Sequence, residues 1–188
     1  ARTVADLEAL TRPLEAAGPA TLASTETIEF PAWNRSLPAR ALRRASLPTW
    51  ILPLGRVFAR VEVRGLDHLE RLEGPVIFAA NHQSHLDTPV ILDALPSRWR
   101  YRVAPAMAKE FFKAHFNPSE YGRKAWFTNS LNYYLSCEFF NAFPLPQRES
   151  GTRQTLRYIG ELISLGYSIL FYPEGKRTQA GEIARFQP

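Results

Sequence analysis

The chain has 188 residues, 45% of them apolar and 22% charged, and a net charge of +5. That length and balance suit one domain with a sizeable core and exclude a disordered chain. A single cysteine, Cys137, excludes an internal disulfide framework and a cysteine-rich zinc site, and no run of about 18 uncharged apolar residues exists to form a spanning helix.

In residues 1–16, Val4, Leu7 and Leu10 have helical spacing, and Gly18 and Pro19 end the segment. Residues 17–39 are small, polar and proline-rich, the composition of a linker. Residues 40–60 follow as a basic amphipathic stretch. Between Trp33 and Arg64 there are seven arginines (Arg35, Arg40, Arg43, Arg44, Arg56, Arg60, Arg64) against one acid, Glu62. Leu37, Leu42, Leu47, Trp50, Ile51, Leu54 and Phe58 lie among them. Arginine with tryptophan and aliphatic residues is what a membrane-surface segment needs. A solvated linker with a first core helix, or a nucleic-acid contact, would use the same residues.

From residue 61 the texture becomes that of a folded domain. "RVEVRG" alternates and predicts a short strand. "PVIFAA" (75–80) is a continuous apolar run, as in a strand buried on both faces of a parallel sheet. "TPVILDAL" predicts a helix capped by Asp87 or Thr88, with Pro89 in its first turn. "YRVAP" predicts a further strand. Residues 107–140 are rich in aromatics and predict helices over a ligand groove. "SGTRQTLRYIGELISLG" predicts a helix with Leu156, Ile159, Leu162 and Ile163 as its buried stripe and Gly166 as its end. "YSILFYP" (167–173) predicts a buried strand. Strands therefore alternate with helices, which implies an α/β fold with a mostly parallel sheet flanked by helices.

Two polar clusters lie just past predicted strands, where ligands bind in such sheets. The first is "NHQSHLD" (81–87). Positions five apart do not share a helix face. With His82 in the loop and Asp87 at the helix start, however, the chain can fold back and join them. A carboxylate on one imidazole nitrogen fixes the tautomer and leaves the other to act as a general base. Other readings of the same residues are a helix cap beside a packed histidine, and a metal set of His82, His85 and Asp87 that lacks companion ligands. The second cluster is "PEGKRT" (173–178). A nucleotide P-loop would need glycine where Leu170 stands. What remains is a glycine that lets backbone approach a ligand, with Lys176 and Arg177 beside it and Arg148 in "FPLPQR", a set suited to phosphate.

"NHQSHLD", "FPLPQR" and "FYPEGKRT" resemble, in order and rough spacing, three signature blocks of the glycerolipid acyltransferase family, the lysophosphatidate acyltransferase or PlsC-like group. The likeness runs from about Val61 to Pro188. It implies transfer of a fatty acyl group from a thioester, on CoA or a carrier protein, to a hydroxyl of a glycerol phosphate or lysophospholipid. It implies His82 and Asp87 as the catalytic pair, Arg148, Glu174, Gly175, Lys176 and Arg177 at the phosphate-bearing acceptor, and no cofactor or metal. A membrane surface, approached from the cytoplasmic face in a peripheral or monotopic manner, is the expected partner, and nucleic acid is not. Lys176 and Thr178 stand where the family usually has threonine and serine, and the segment 110–142 is longer and more aromatic than usual. The family's fourth block lies beyond Pro188, so a domain truncated before its end is expected. Residues 1–16 are similar to the last helix of an acyl-carrier domain, which implies such a domain upstream in a multidomain parent. No Gly-x-Ser-x-Gly elbow occurs. The alternatives are a hydrolase using the same base and a non-catalytic membrane-binding module.

Overall fold

The computed structural model describes residues 28–146 and 152–175. The predicted helix over 1–16, residues 17–27 of the linker, and Arg148, Lys176 and Arg177 lie outside the described residues. From Ile28 onward the linker composition misleads. Ile28 and Pro31 are buried, the Ile28 N–H donates to Gln154 Oε1 (3.0 Å), and Phe30 stacks on Tyr158 with ring centroids 4.2 Å apart.

Helix α1 (Leu37–Ser46) starts at Ser36, whose hydroxyl accepts the Ala39 N–H, with proline in its first turn. Pro48 has no N–H to continue the ladder. The chain opens into a π turn (Leu47–Ile51), closed by the Leu52 N–H on the Leu47 carbonyl, before α2 (Leu52–Phe58). The predicted strand at "RVEVRG" does not form: residues 59–65 carry no strand pairing, and Arg64 folds back onto Glu62. Alternation alone supplies no partner edge. Helix α3 (Leu66–Glu70) leads to β1 (Ile77–Ala79). Then come α4 (Asp87–Ala94), α5 (Ser97–Arg100) and β2 (Val103–Ala108). The aromatic-rich segment forms short turns around α6 (Lys113–Phe116) and then the 18-residue α7 (Arg123–Phe140). Strand β3 (Phe143–Leu145), α8 (Thr152–Ser164) and β4 (Ser168–Phe171) complete the described chain.

The four strands form one sheet in the order β1-β4-β2-β3, every pair parallel. This is the α/β architecture expected. On one face Leu47, Ile51 and Leu52 join Leu92 of α4, Leu95 just after it and Trp99 of α5 against Val103 and Leu170. On the other, Tyr158 and Leu162 of α8 cover Ala104, Ala106, Phe143 and Ile169. A third cluster, Phe112, Tyr133 and Cys137, holds α6 and α7 together beside Met107. Two details differ from expectation. Strand β1 lies at the sheet edge with Ile77 63% exposed, so it is not buried on both faces. The α8 stripe is Thr155, Tyr158 and Leu162, while Leu156 and Ile163 are exposed. Gly166 ends α8 at φ +79°, where an added Cβ would also meet Arg102 at 2.7 Å.

Candidate active site

Strands β1 and β4 are neighbours, so the loops that leave their C-terminal ends run side by side. The Ala80 N–H donates to the Phe171 carbonyl (3.1 Å), extending the pairing one residue past β1. This brings "NHQSHLD" and "FYPEG" to one edge. Strand β3, which carries "FPL", stands two strands beyond β4 on that edge, roughly 10 Å away at the usual strand spacing.

His82 lies in the loop and Asp87 is the first residue of α4. Asp87 does not cap the helix, since the position before α4 is Leu86 and carries no side-chain cap. Its carboxylate turns back on the loop instead. Oδ2 accepts the His82 Nδ1–H at 2.8 Å, the Gln83 N–H at 2.7 Å and the Ser84 N–H at 2.9 Å. Two backbone donors hold the acid rigidly, and the acid holds the imidazole. With Nδ1 given to the carboxylate, Nε2 is the nitrogen that carries the lone pair. Both side chains are about three-quarters buried, at 24% and 22% exposure.

A residue that the sequence reading did not single out completes this arrangement. The Tyr172 ring stacks on the His82 imidazole, with centroids 4.3 Å apart and planes inclined by 30°. Its hydroxyl is 2.7 Å from Thr88 Oγ1. Burial pushes the Tyr172 phenol up to about 12, so it stays neutral. The signal for it was strand periodicity. Tyr172, one residue past β4, continues the face of residues 168 and 170, and Leu170 and Tyr172 pack in the cluster that holds Leu92 of α4.

Gly175 takes φ +65°, a conformation that favours glycine, and its N–H donates to the Tyr172 carbonyl (3.0 Å). Glu174 is wholly buried. The His85 ring lies against Phe111, centroids 5.9 Å apart. Among the described residues no three of His, Cys, Asp and Glu come together as a metal-holding group. At the far end of α4, Arg56 of α2 grips Asp93 through two hydrogen bonds of 2.7 and 2.8 Å. That contact holds the Asp93 carboxyl below the usual carboxylate range.

A family model described as Acyltransferase matches residues 60–188. The chain belongs to the acyltransferase family. The group is the glycerolipid, PlsC-like one whose three blocks the sequence resembles. No curated protein and no solved structure matches it. The match begins at Arg60, just after α2, so it takes in all four described strands and the loops that follow β1 and β4. Among the described residues of this acyltransferase, no helix is long and apolar enough to cross a membrane.

Proposed function

We propose that this acyltransferase moves a fatty acyl group from a thioester, borne by CoA or a carrier protein, to a hydroxyl of a glycerol phosphate or lysophospholipid, with His82 as general base. The observation that carries the reading is the 2.8 Å bond from His82 Nδ1 to Asp87, beside the block-three loop at the sheet edge. Nε2 takes the proton of the acceptor hydroxyl as its oxygen attacks the thioester carbonyl. The new C–O bond forms, the C–S bond breaks, and the imidazolium returns the proton to the departing thiolate. Asp87 stabilises the imidazolium between these steps. Holding hydroxyl and thioester together can supply about 7–11 kcal/mol of the barrier reduction. Arg148, Lys176 and Arg177 are the cations assigned to the acceptor phosphate, with Gly175 allowing close approach.

The same reading puts the enzyme at the cytoplasmic face of a membrane as a peripheral protein. Its support is the surface of α1 and α2, where Leu54, Val57 and Phe58 are 54%, 75% and 70% exposed and Arg40, Arg44 and Arg60 are exposed beside them. The test is acyl transfer by the full chain with a phosphorylated and a neutral acceptor. His82→Ala should abolish ester formation with the fold intact. Arg148→Ala and Arg177→Ala should raise the acceptor KM for the phosphorylated acceptor alone, each by the loss of about 1.5–3 kcal/mol. Full activity in His82→Ala overturns the mechanism. Free acid in place of ester makes the protein a hydrolase.

A further inference from the structure

Helix α7 is apolar on too many sides for a helix in water. Residues 123–128 are exposed without interruption, and six consecutive residues cover the full circumference of a helix. Further along, Phe127, Leu131 and Tyr134 recur at helical spacing and are 62%, 46% and 49% exposed. Leu135 beside them is 42% exposed. The stripe does not stop at the helix, because Tyr134 meets Trp33 with ring centroids 5.8 Å apart, and Trp33 is itself 41% exposed. Contiguous apolar surface of this kind marks an interaction site.

Charge decides what covers it. The exposed end of α7 opens with Arg123 and Lys124. Its one acid, Glu138, is buried at the far end, where Arg43 donates to the Glu138 carbonyl. Cations at a helix N-terminus oppose the helix dipole, so they are unfavourable there by some tenths of a kcal/mol unless something anionic faces them. Glu120, exposed three residues before Arg123, offsets one of the two, and that end of the stripe stays basic. Aromatic and leucine side chains with a basic end and no exposed carboxylate on the helix itself match the interfacial layer of an anionic bilayer. The stripe also adjoins the site. Phe111, 52% exposed, has its carbonyl bonded by Asn129 Nδ2 of α7 (3.2 Å), and its ring lies against His85 in the His82 loop.

We propose that the exposed face of α7, centred on Phe127 and Leu131, is a second lipid-docking surface, separate from α1 and α2, that sets the His82 loop against an anionic bilayer. Its purpose rests on the lipid-acceptor reading; the surface itself does not.

The test is co-sedimentation of the full chain with vesicles of phosphatidylcholine alone and of phosphatidylcholine with phosphatidylglycerol. The double variant Phe127→Gln, Leu131→Gln should weaken partitioning to both vesicle types by about tenfold or more, since both side chains lose apolar burial in the bilayer. Arg123→Gln with Lys124→Gln should weaken binding to the anionic vesicles alone, and added salt should reproduce that loss. All four side chains are exposed, so an unchanged melting curve is expected and separates docking from folding. If the double variant binds both vesicle types as the parent does, the proposal is overturned. If its binding is unchanged and its oligomer mass falls, the face is an interface between copies of the chain. A short-chain soluble acceptor separates the two readings. Equal transfer by parent and double variant on it, with vesicle binding lost, supports the docking surface. Absence of transfer in both, with vesicle binding lost, removes the transfer reading and leaves this surface standing.

Discussion

The imidazole of His82 stacks on the ring of Tyr172, at 4.3 Å between centroids. Asp87 fixes one edge of the imidazole, and the tyrosine fixes its plane. Thr88 in turn holds the tyrosine hydroxyl at 2.7 Å. Because Thr88 follows Asp87 on α4, one helix turn orients both supports of the histidine. Tyr172→Phe keeps the stack and loses one hydrogen bond, so it should lower stability by about 1 kcal/mol and leave kcat near the parent value. Tyr172→Leu frees the ring to tilt and should lower kcat by up to about 100-fold with a smaller change in KM. Steady-state kinetics on both variants separates a positioning role from a packing role. An equal loss in the two would assign the effect to the hydroxyl.

Asp87→Asn tests the carboxylate charge. One oxygen, Oδ2, accepts from His82, Gln83 and Ser84. An amide oxygen in that place keeps all three bonds, so melting should change little, but it carries no charge to stabilise the imidazolium. Transfer should fall by up to roughly 10⁴-fold, the scale of the same substitution in the Ser-His-Asp triad. Asp87→Ala should lose the activity and also stability, because two backbone donors lose their acceptor.

His115 makes stability depend on pH. Its ring stacks on Tyr133 with centroids 4.3 Å apart, and Nδ1 is 2.9 Å from Ser130 Oγ. Burial lowers its pKa from the ordinary 6.5. The folded chain therefore binds fewer protons than the unfolded one as pH falls below about 6.5. Its contribution to stability is complete above that value and declines toward the lowered folded pKa. The melting temperature should fall between pH 7 and pH 5, and His115→Phe should flatten that slope. An unchanged slope would place the pH dependence in other groups.

Much of this molecule can be read along the chain, and the limits have physical causes. The runs around Phe78 and Leu170 are continuous and apolar, so both strands are plain. Their adjacency is not, because parallel partners far apart in sequence leave no local trace of the order β1-β4-β2-β3. The His82–Asp87 fold-back was legible from a spacing that no helix face accommodates. Tyr172 was missed because an aromatic at the end of a strand looks like core. Leu156 was expected inside and Tyr158 was not weighed, yet the tyrosine is buried, with its hydroxyl donating to the Pro31 carbonyl at 2.9 Å. Arg43 shows the same limit most clearly. A cation in a basic stretch reads as solvated, and only tertiary structure shows where it ends.

Arg43 is 4% exposed and closes the last turn of α7, donating to the carbonyls of Glu138 and Cys137 and, at 2.8 Å, to that of Asn34. It belongs to the core, not to the charged surface of α1. Arg35, Arg56 and Arg64 are likewise engaged, by the Pro31 carbonyl and Tyr158 hydroxyl, by Asp93 and by Glu62. This leaves Arg40, Arg44 and Arg60 as exposed cations for an anionic bilayer, with Arg44 also lying over the Tyr101 ring at 5.0 Å. The two groups should separate cleanly. Arg43→Ala strands three buried carbonyls and should destabilise the fold by about 3 kcal/mol, seen in a denaturant titration. Arg40, Arg44 and Arg60 changed together to Gln should leave that titration near the parent curve. Each should instead remove roughly 1 kcal/mol of attraction to anionic vesicles at low salt, and the loss should fade as salt screens the parent's own attraction. Residual binding should persist through Leu54, Val57 and Phe58, whose burial does not depend on charge. If the triple variant binds anionic vesicles as tightly as the parent at low salt, α1 and α2 are not the basic contact, and their exposed apolar residues need another partner.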